Sequence, residues 1–254
     1  MTAKLFFNAA FPVMQVLMDE DPNINRKTRR FKGVVQFGAK DGDSLLAVTL
    51  TFADGHLDVV QGPAEKFDLA LTFSSIAKMN ALLRGGLAVP GINGNLTMLP
   101  VVLSLLMGLK IMTKPNYKLR NNTEKKLKVQ CSLYMITRAL SVYNKLGDHD
   151  MHAWCLQQPD RIYQFRVENE GDPDFIACYL RVKAGQSKAG HGVYTRRTPF
   201  VLFRFLSIDG ALKVLGKEVE FVDGVKQGCV EIIGSPEYAC SLNDFMAILQ
   251  NMLT

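Results

Sequence analysis

The sequence predicts an α+β protein of two similar domains, each a mostly antiparallel sheet covered by helices. Three observations carry that expectation. The chain has 254 residues, more than one average domain needs and comfortable for two of roughly 100 to 150 residues. A pattern of strands and turns in the first half returns in the second. Within each copy the strands come as a meander with helices at the ends, the order of an antiparallel-rich sheet. The division falls between residues 1–115 and 116–254.

The N-terminal stretch MTAKLFFNAAFPVMQVLMDEDP has one lysine followed by an apolar run, superficially like a secretion signal. Asn8, Pro12 and Gln15 interrupt the run and no A-x-A site precedes Asp19-Glu20-Asp21, so it reads as a first amphipathic helix. The repeat begins where residue 47 is laid on residue 177. Val48, Leu50 and Phe52 then meet Cys178, Leu180 and Val182, and Gly62 meets Gly192. Asp54-Gly55 and Ala184-Gly185 read as tight hairpin turns, glycine supplying the positive φ. Two residues further along in the second copy, Leu69, Leu71 and Phe73 align with Val201, Phe203 and Phe205 as period-two strands.

Each of these strands runs into a serine, an isoleucine and a short helix, so Ser75 and Ser207 read as N-caps. Ser75-Ile-Ala-Lys78 also matches the Ser-x-x-Lys of acyl-transfer enzymes. The position matching Lys78 is Gly210, and no S-D-N or K-T-G partner is present, so the serine is assigned to capping. Both copies end in a strand and a last helix, with Gly94 matching Gly234. In the second copy KEVEFVDGVKQGCVEII suggests an extra hairpin at Asp223-Gly224, where the first copy has only GLAVPG. A polar, basic segment (113 to 126) joins the copies. It leads into a helix from about 124 to 146, whose stripe of Val129, Leu133, Ile136, Leu140 and Tyr143 suits packing on the second sheet.

Composition excludes several function classes. At 48% hydrophobic and 21% charged residues the chain is an ordinary globular one. Its five cysteines lack C-x-x-C spacing, which suggests neither a disulfide framework nor a zinc knuckle and fits a reducing cytoplasm. His149 and His152 stand beside Asp148 and Asp150, yet without metal-protease spacing or a further ligand pair, so this reads as a loop and helix start. His56 and His191 lack an identifiable nucleophile, and GGLAVPGING has no dinucleotide or P-loop spacing. No catalytic residue, metal or cofactor is expected, and no nucleic acid. The basic stretch at 183 to 197 reads as an exposed hairpin with the chemistry to hold a phosphate.

The strand DLALTF leading into SSIAKMNALLRG, followed by ING before a strongly apolar last helix, resembles the sterol carrier protein two family over about 31 to 112 and, more faintly, 160 to 254. The resemblance implies non-enzymatic lipid carriers in two tandem copies, each with helices and sheet enclosing an apolar tunnel for sterols, fatty acids, acyl-CoA or phospholipids. The helix from Leu96 to Met112 is apolar all round; one side can face the sheet and something else must cover the rest. Asn93, Asn95 and Pro100 cut its run short of a membrane span.

Lipid-lining candidates in the first copy are Leu99, Val102, Leu103, Leu106 and Met107, with Phe73, Met79 and Leu83. In the second they are Tyr238, Leu242, Phe245, Met246 and Leu249 on a cleaner amphipathic helix, which makes the first copy the main carrier. The formal charge of +6 gathers in Arg26, Lys27, Arg29 and Arg30 and again in Lys114, Lys118 and Arg120, which suits docking on an anionic membrane surface. The rival readings are a scaffold whose apolar helix makes a homodimer, and a hydrolase or acyltransferase.

Overall fold

The computed structural model describes residues 1–113, 117–169 and 171–253. The chain forms two compact units, residues 1–114 and 115–252.

The first unit opens with a nearly continuous helical run: α1 (Thr2–Leu5), a π-helical turn Phe6–Ala10, a 3-10 turn Phe11–Val13, α2 (Met14–Glu20) and then α3 (Pro22–Thr28). It is buried well beyond one face: Leu5, Phe6, Phe7, Ala10, Phe11, Met14 and Leu17 are all shielded from solvent. The expected amphipathic helix is thus a core element. Phe7 and Phe11 meet Phe37 edge-on at 6.3 and 5.2 Å, and Phe37 meets Phe73 at 5.4 Å, so aromatic packing seats the run on the sheet. Asp21 ends one helix and caps the next through Asn23 N–H and Ile24 N–H.

The sheet contains β1 (Gly33–Asp41), β2 (Ser44–Ala53), β3 (His56–Gln61), β4 (Leu69–Phe73) and, after α4 (Ile76–Leu83), β5 (Gly91–Gly94), followed by a 3-10 turn Leu96–Met98 and α5 (Leu99–Thr113). Its order is β3-β2-β1-β4-β5, with β1 and β4 parallel and the other pairs antiparallel.

The second unit carries α6 (Asn122–Lys145), α7 (His149–Leu156), β6 (Arg161–Asn169), β7 (Asp172–Lys183), β8 (Gln186–His191), β9 (Val201–Phe205), α8 (Ile208–Leu215), α9 (Phe221–Lys226), β10 (Val230–Gly234) and α10 (Pro236–Leu253). Its order, β10-β9-β6-β7-β8 with β6 and β9 parallel, is the same topology. The stripe Val129, Leu133, Ile136, Leu140 and Tyr143 of α6 is buried against β7 and β8.

The repeat extends to single hydrogen bonds. Gly62 N–H donates to Ala47 O at 2.9 Å and Gly192 N–H to Ala177 O at 2.8 Å. Asp54 and Gly55 have φ of 52° and 78°, Ala184 and Gly185 of 45° and 83°, so both hairpins use the left-handed pair that a two-residue turn requires. The Ser75 hydroxyl accepts from Lys78 N–H and that of Ser207 from Gly210 N–H, at 3.3 and 3.0 Å. The buried Gln36 amide accepts from Ala64 N–H at 3.0 Å and the buried Gln164 amide from Tyr194 N–H at 2.9 Å, pinning the return loop of each copy to its sheet. Gly94 and Gly234 sit at φ of 104° and 110°, where an added Cβ would stand 2.2 Å from Asp68 O and 2.1 Å from Phe200 O.

The hairpin expected at Asp223-Gly224 is instead α9. Gly224 is drawn into the packing, where a Cβ would meet Val214 at 2.7 Å, and the chain turns at Gly228 with φ of 69°. The face that α5 buries, with Val102, Leu105 and Leu109, lies against α2 and α3, not the sheet, whose face the N-terminal helices already occupy. Gly108 makes the close approach, 2.8 Å from a built Cβ to Ile24 Cδ1.

Two stability outcomes follow. Ser75→Ala removes one cap and lowers unfolding free energy in urea by about 0.5 to 2 kcal/mol; an unchanged midpoint would show that the cap is idle. Gly234→Ala forces both a strained φ and a backbone clash, and costs about 2 kcal/mol or more in the same measurement; tolerance of alanine would contradict the close approach.

Candidate functional site

The candidate site is an apolar groove of about 660 Å³ on the second unit. Phe221, Val222 and Val225 of α9 form one wall, Val230 and Ile232 of β10 the base, and Pro236, Ala239 and Cys240 of α10 the far side, with Leu206 at the end of β9. The wall exists because α9 is held from behind: the Phe221 ring packs 6.0 Å from Phe203, and Gly224 closes on Val214. Burial inside is incomplete. Val222 keeps 57% of its surface exposed, Leu206 43% and Val225 40%.

The charges at the rim neutralise one another. Arg204 pairs with Glu168 at 2.5 Å and with Glu231 at 2.9 Å, and Lys226 pairs with Asp223 at 3.0 Å. The hydrogen bond that Arg204 donates to Glu168, then that to Glu231, raises its pKa. Among the described residues the groove's charges are all paired and its surface is widely apolar, which suits a hydrocarbon body. Cys240 is exposed there, while the other four cysteines are buried and burial pushes the Cys155 and Cys178 thiols up to about 12.

The residues singled out from the sequence fall in three places. Phe73, Met79, Val102, Leu242 and Leu249 are fully buried core. Tyr238 and Phe245 are half-buried and set at an angle around Trp154, and Tyr238 also takes the Arg161 guanidinium over its ring at 4.3 Å. Leu83, Leu99, Leu106 and Met246 are likewise half-buried. Leu103 and Met107, four residues apart on the outer face of α5, are half-exposed, as is Leu96 before it. The groove's side of α10 is Pro236, Ala239 and Cys240, not the Tyr238, Leu242, Phe245 stripe.

Sequence reasoning missed the wall of the groove. Its signal was the apolar trio Phe221, Val222 and Val225, spaced for one helical face but masked by Asp223-Gly224.

Arg26, Lys27, Arg29 and Arg30 are exposed at the end of α3, and Lys27 Nζ reaches Ser104 on α5 at 2.9 Å, which puts this cluster beside the apolar outer face. Lys118 and Arg120 are exposed, Arg120 pairing with Glu124 at 3.1 Å; Lys114 lies outside the described residues. Between α4 and β5, Leu87 is 100% and Val89 87% exposed. Lys110 lies against the start of this loop, its Cε 3.2 Å from a Cβ built at Gly85, so the loop meets the last turns of α5.

Ser75 Oγ is engaged as a cap. His149 pairs with Asp150 at 3.0 Å in solvent. His191 stacks on Tyr134 at 3.9 Å, and its pKa is lowered by burial and then by the Arg138 charge. Among the described residues no group of His, Cys, Asp and Glu could hold a metal ion, and no helix is long and apolar enough to cross a membrane.

No protein-family model and no curated protein matches the chain. Similar solved structures include palmitated SCP2L2 from Aedes aegypti, at 19% identity and a TM-score of 0.31 over 44% of this chain and 90% of that one. The sterol carrier protein domain 2 of Helicoverpa armigera matches at 19% identity and a TM-score of 0.33 over 47% and 89%. A stereoselective inverting sec-alkylsulfatase from a Pseudomonas species matches at 12% identity and 0.26 over 67% of this chain and 31% of the sulfatase.

Proposed function

We propose that the protein is a non-enzymatic lipid carrier of two tandem sterol-carrier-like domains, which holds the apolar part of a sterol, fatty acid, acyl-CoA or phospholipid in the groove of the second unit. The observation that carries this is the groove itself: about 660 Å³, walled by half-exposed aliphatic side chains and rimmed by charges already paired. Burying a hydrocarbon chain there is worth about 0.8 kcal/mol per methylene, without directional demands on the ligand. The reading from sequence assigns the ligand mainly to the first copy on the strength of α5; this proposal gives it to the second and gives α5 another task.

That task is contact with an anionic bilayer. Leu87, Val89, Leu103 and Met107 present apolar surface to solvent on the first unit, with Lys27 beside α5 and Lys110 in the last turn of α5. Apolar side chains ringed by cations suit the interface of an anionic membrane, where each lysine or arginine contributes about 1 kcal/mol within a Debye length of about 8 Å.

Val225→Trp fills the groove from an exposed wall, and weakens a fluorescent fatty acid by roughly tenfold, about 1.4 kcal/mol, with the circular dichroism unchanged. Unaltered affinity in a folded variant would contradict the assignment. Saturating lipid also slows modification of Cys240 by a thiol reagent several-fold; no protection would place the lipid elsewhere.

For docking, Leu87→Asp with Val89→Asp lowers co-sedimentation with phosphatidylserine vesicles and slows lipid transfer to them, leaving fatty-acid affinity as it was. Undiminished sedimentation would show that the loop does not touch the bilayer.

A further inference from the structure

A second cleft, of about 1010 Å³, lies on the second unit where the end of α6, the start of α7 and the β7–β8 hairpin meet. Among the described residues no aspartate or glutamate lines it, whereas Lys145, Lys183, Lys188, Arg181, His149 and His152 do. These come from four elements, so the cluster is a product of the fold and not of a charge run in sequence. We propose that this cleft is a binding site for a phosphate-bearing ligand, a diphosphate or phosphate monoester, separate from the apolar groove.

Two features distinguish it from a solvated basic face. The first is the balance of charge. Asp160 is taken up by Arg181, at 2.8 Å through two nitrogens, and by Arg197 at 3.0 Å; Asp150 is taken up by His149. Lys145, Lys183 and Lys188 make no ion pair among the described residues, so a net positive charge is left over the cleft. Cations in excess of the two carboxylates and converging from separate elements repel one another, and a bound polyanion relieves that repulsion.

The second feature is rigidity. The buried Asn144 ties the three walls together: its amide nitrogen donates to Gly185 O and Ser187 Oγ, both at 2.9 Å, and its oxygen faces His152 Nδ1 at 3.1 Å. Since that oxygen only accepts, His152 Nδ1 is the donor and the ring is fixed in place. The buried Ser141 hydroxyl adds a bond to Ser187 O at 2.9 Å. The walls that carry the exposed Lys145, Lys183 and Lys188 are thus fixed, as are the His152 ring and Arg181, so the site does not have to assemble around an anion. Leu156, exposed beside Ala153, supplies an apolar floor for the organic body to which the phosphate is attached.

The test is calorimetric titration of the full chain with inorganic pyrophosphate at moderate salt, with a parallel arm using vesicles that contain phosphatidate in place of phosphatidylserine. One-site binding of pyrophosphate, weakened roughly tenfold or more in Lys145→Ala/Lys183→Ala/Lys188→Ala and unchanged in Arg26→Ala/Lys27→Ala/Arg30→Ala, supports the site with a soluble ligand. A phosphatidate preference over phosphatidylserine lost in the same cleft variant supports it with a lipid headgroup as the source. No saturable pyrophosphate binding together with no phosphatidate preference overturns the proposal, as does equal weakening in both triple variants. The fatty-acid affinity of the groove stays constant throughout, which separates this outcome from the lipid-carrier reading.

Discussion

A parallel strand pair cannot be closed by a tight turn, so setting β4 beside β1, and β9 beside β6, obliges the chain to leave the β3 or β8 edge and cross back over the sheet. Gln36 and Gln164 help to hold the crossing segments on the sheet: a buried amide in the central strand accepts from the backbone of the returning loop, at 3.0 Å in one unit and 2.9 Å in the other. Once β4 and β9 are placed, the serine caps launch α4 and α8, and Gly94 and Gly234 let the last strand approach within a distance that no side chain would allow. The groove depends on this chain of placements, because its base is β10 and its wall is the helix inserted before it.

The two units use this frame differently. In the first, the connection from α4 to β5 is short, carries no helix, and holds Leu87 and Val89 out in solvent. In the second, the longer connection folds as α9 and encloses apolar space on its inner side. One insertion therefore converts an exposed loop into a cavity wall. Charge is divided in the same way: paired around the groove, in positive excess around the cleft of the second unit, and gathered on α3 beside α5 in the first.

How much of this was legible in the sequence follows from whether the determinant is local. The hairpins at Asp54-Gly55 and Ala184-Gly185 and the caps at Ser75 and Ser207 are set by a few adjacent residues, and all four form. The match of Gln36-Phe37 to Gln164-Phe165 is just as real but spans two residues at a different offset from the rest of the repeat, so it did not stand out. Asp223-Gly224 is a strong turn signal by itself, and the helix that forms instead buries Gly224 close to Val214, a tertiary contact that local sequence does not announce. The uniform apolarity of α5 announced two buried faces; one is buried on α2 and α3, and the other is exposed at Leu103 and Met107. The groove was not readable because its members, from Arg204 to Cys240, are joined by tertiary packing alone.

The central claim is that the second unit holds a lipid, and native mass spectrometry of the purified full chain tests it most directly. The account predicts a population heavier than the apo chain by the mass of one co-purified lipid, lost on mild collisional activation. A single species at the apo mass, persisting after incubation with fatty acid and phospholipid, would contradict it.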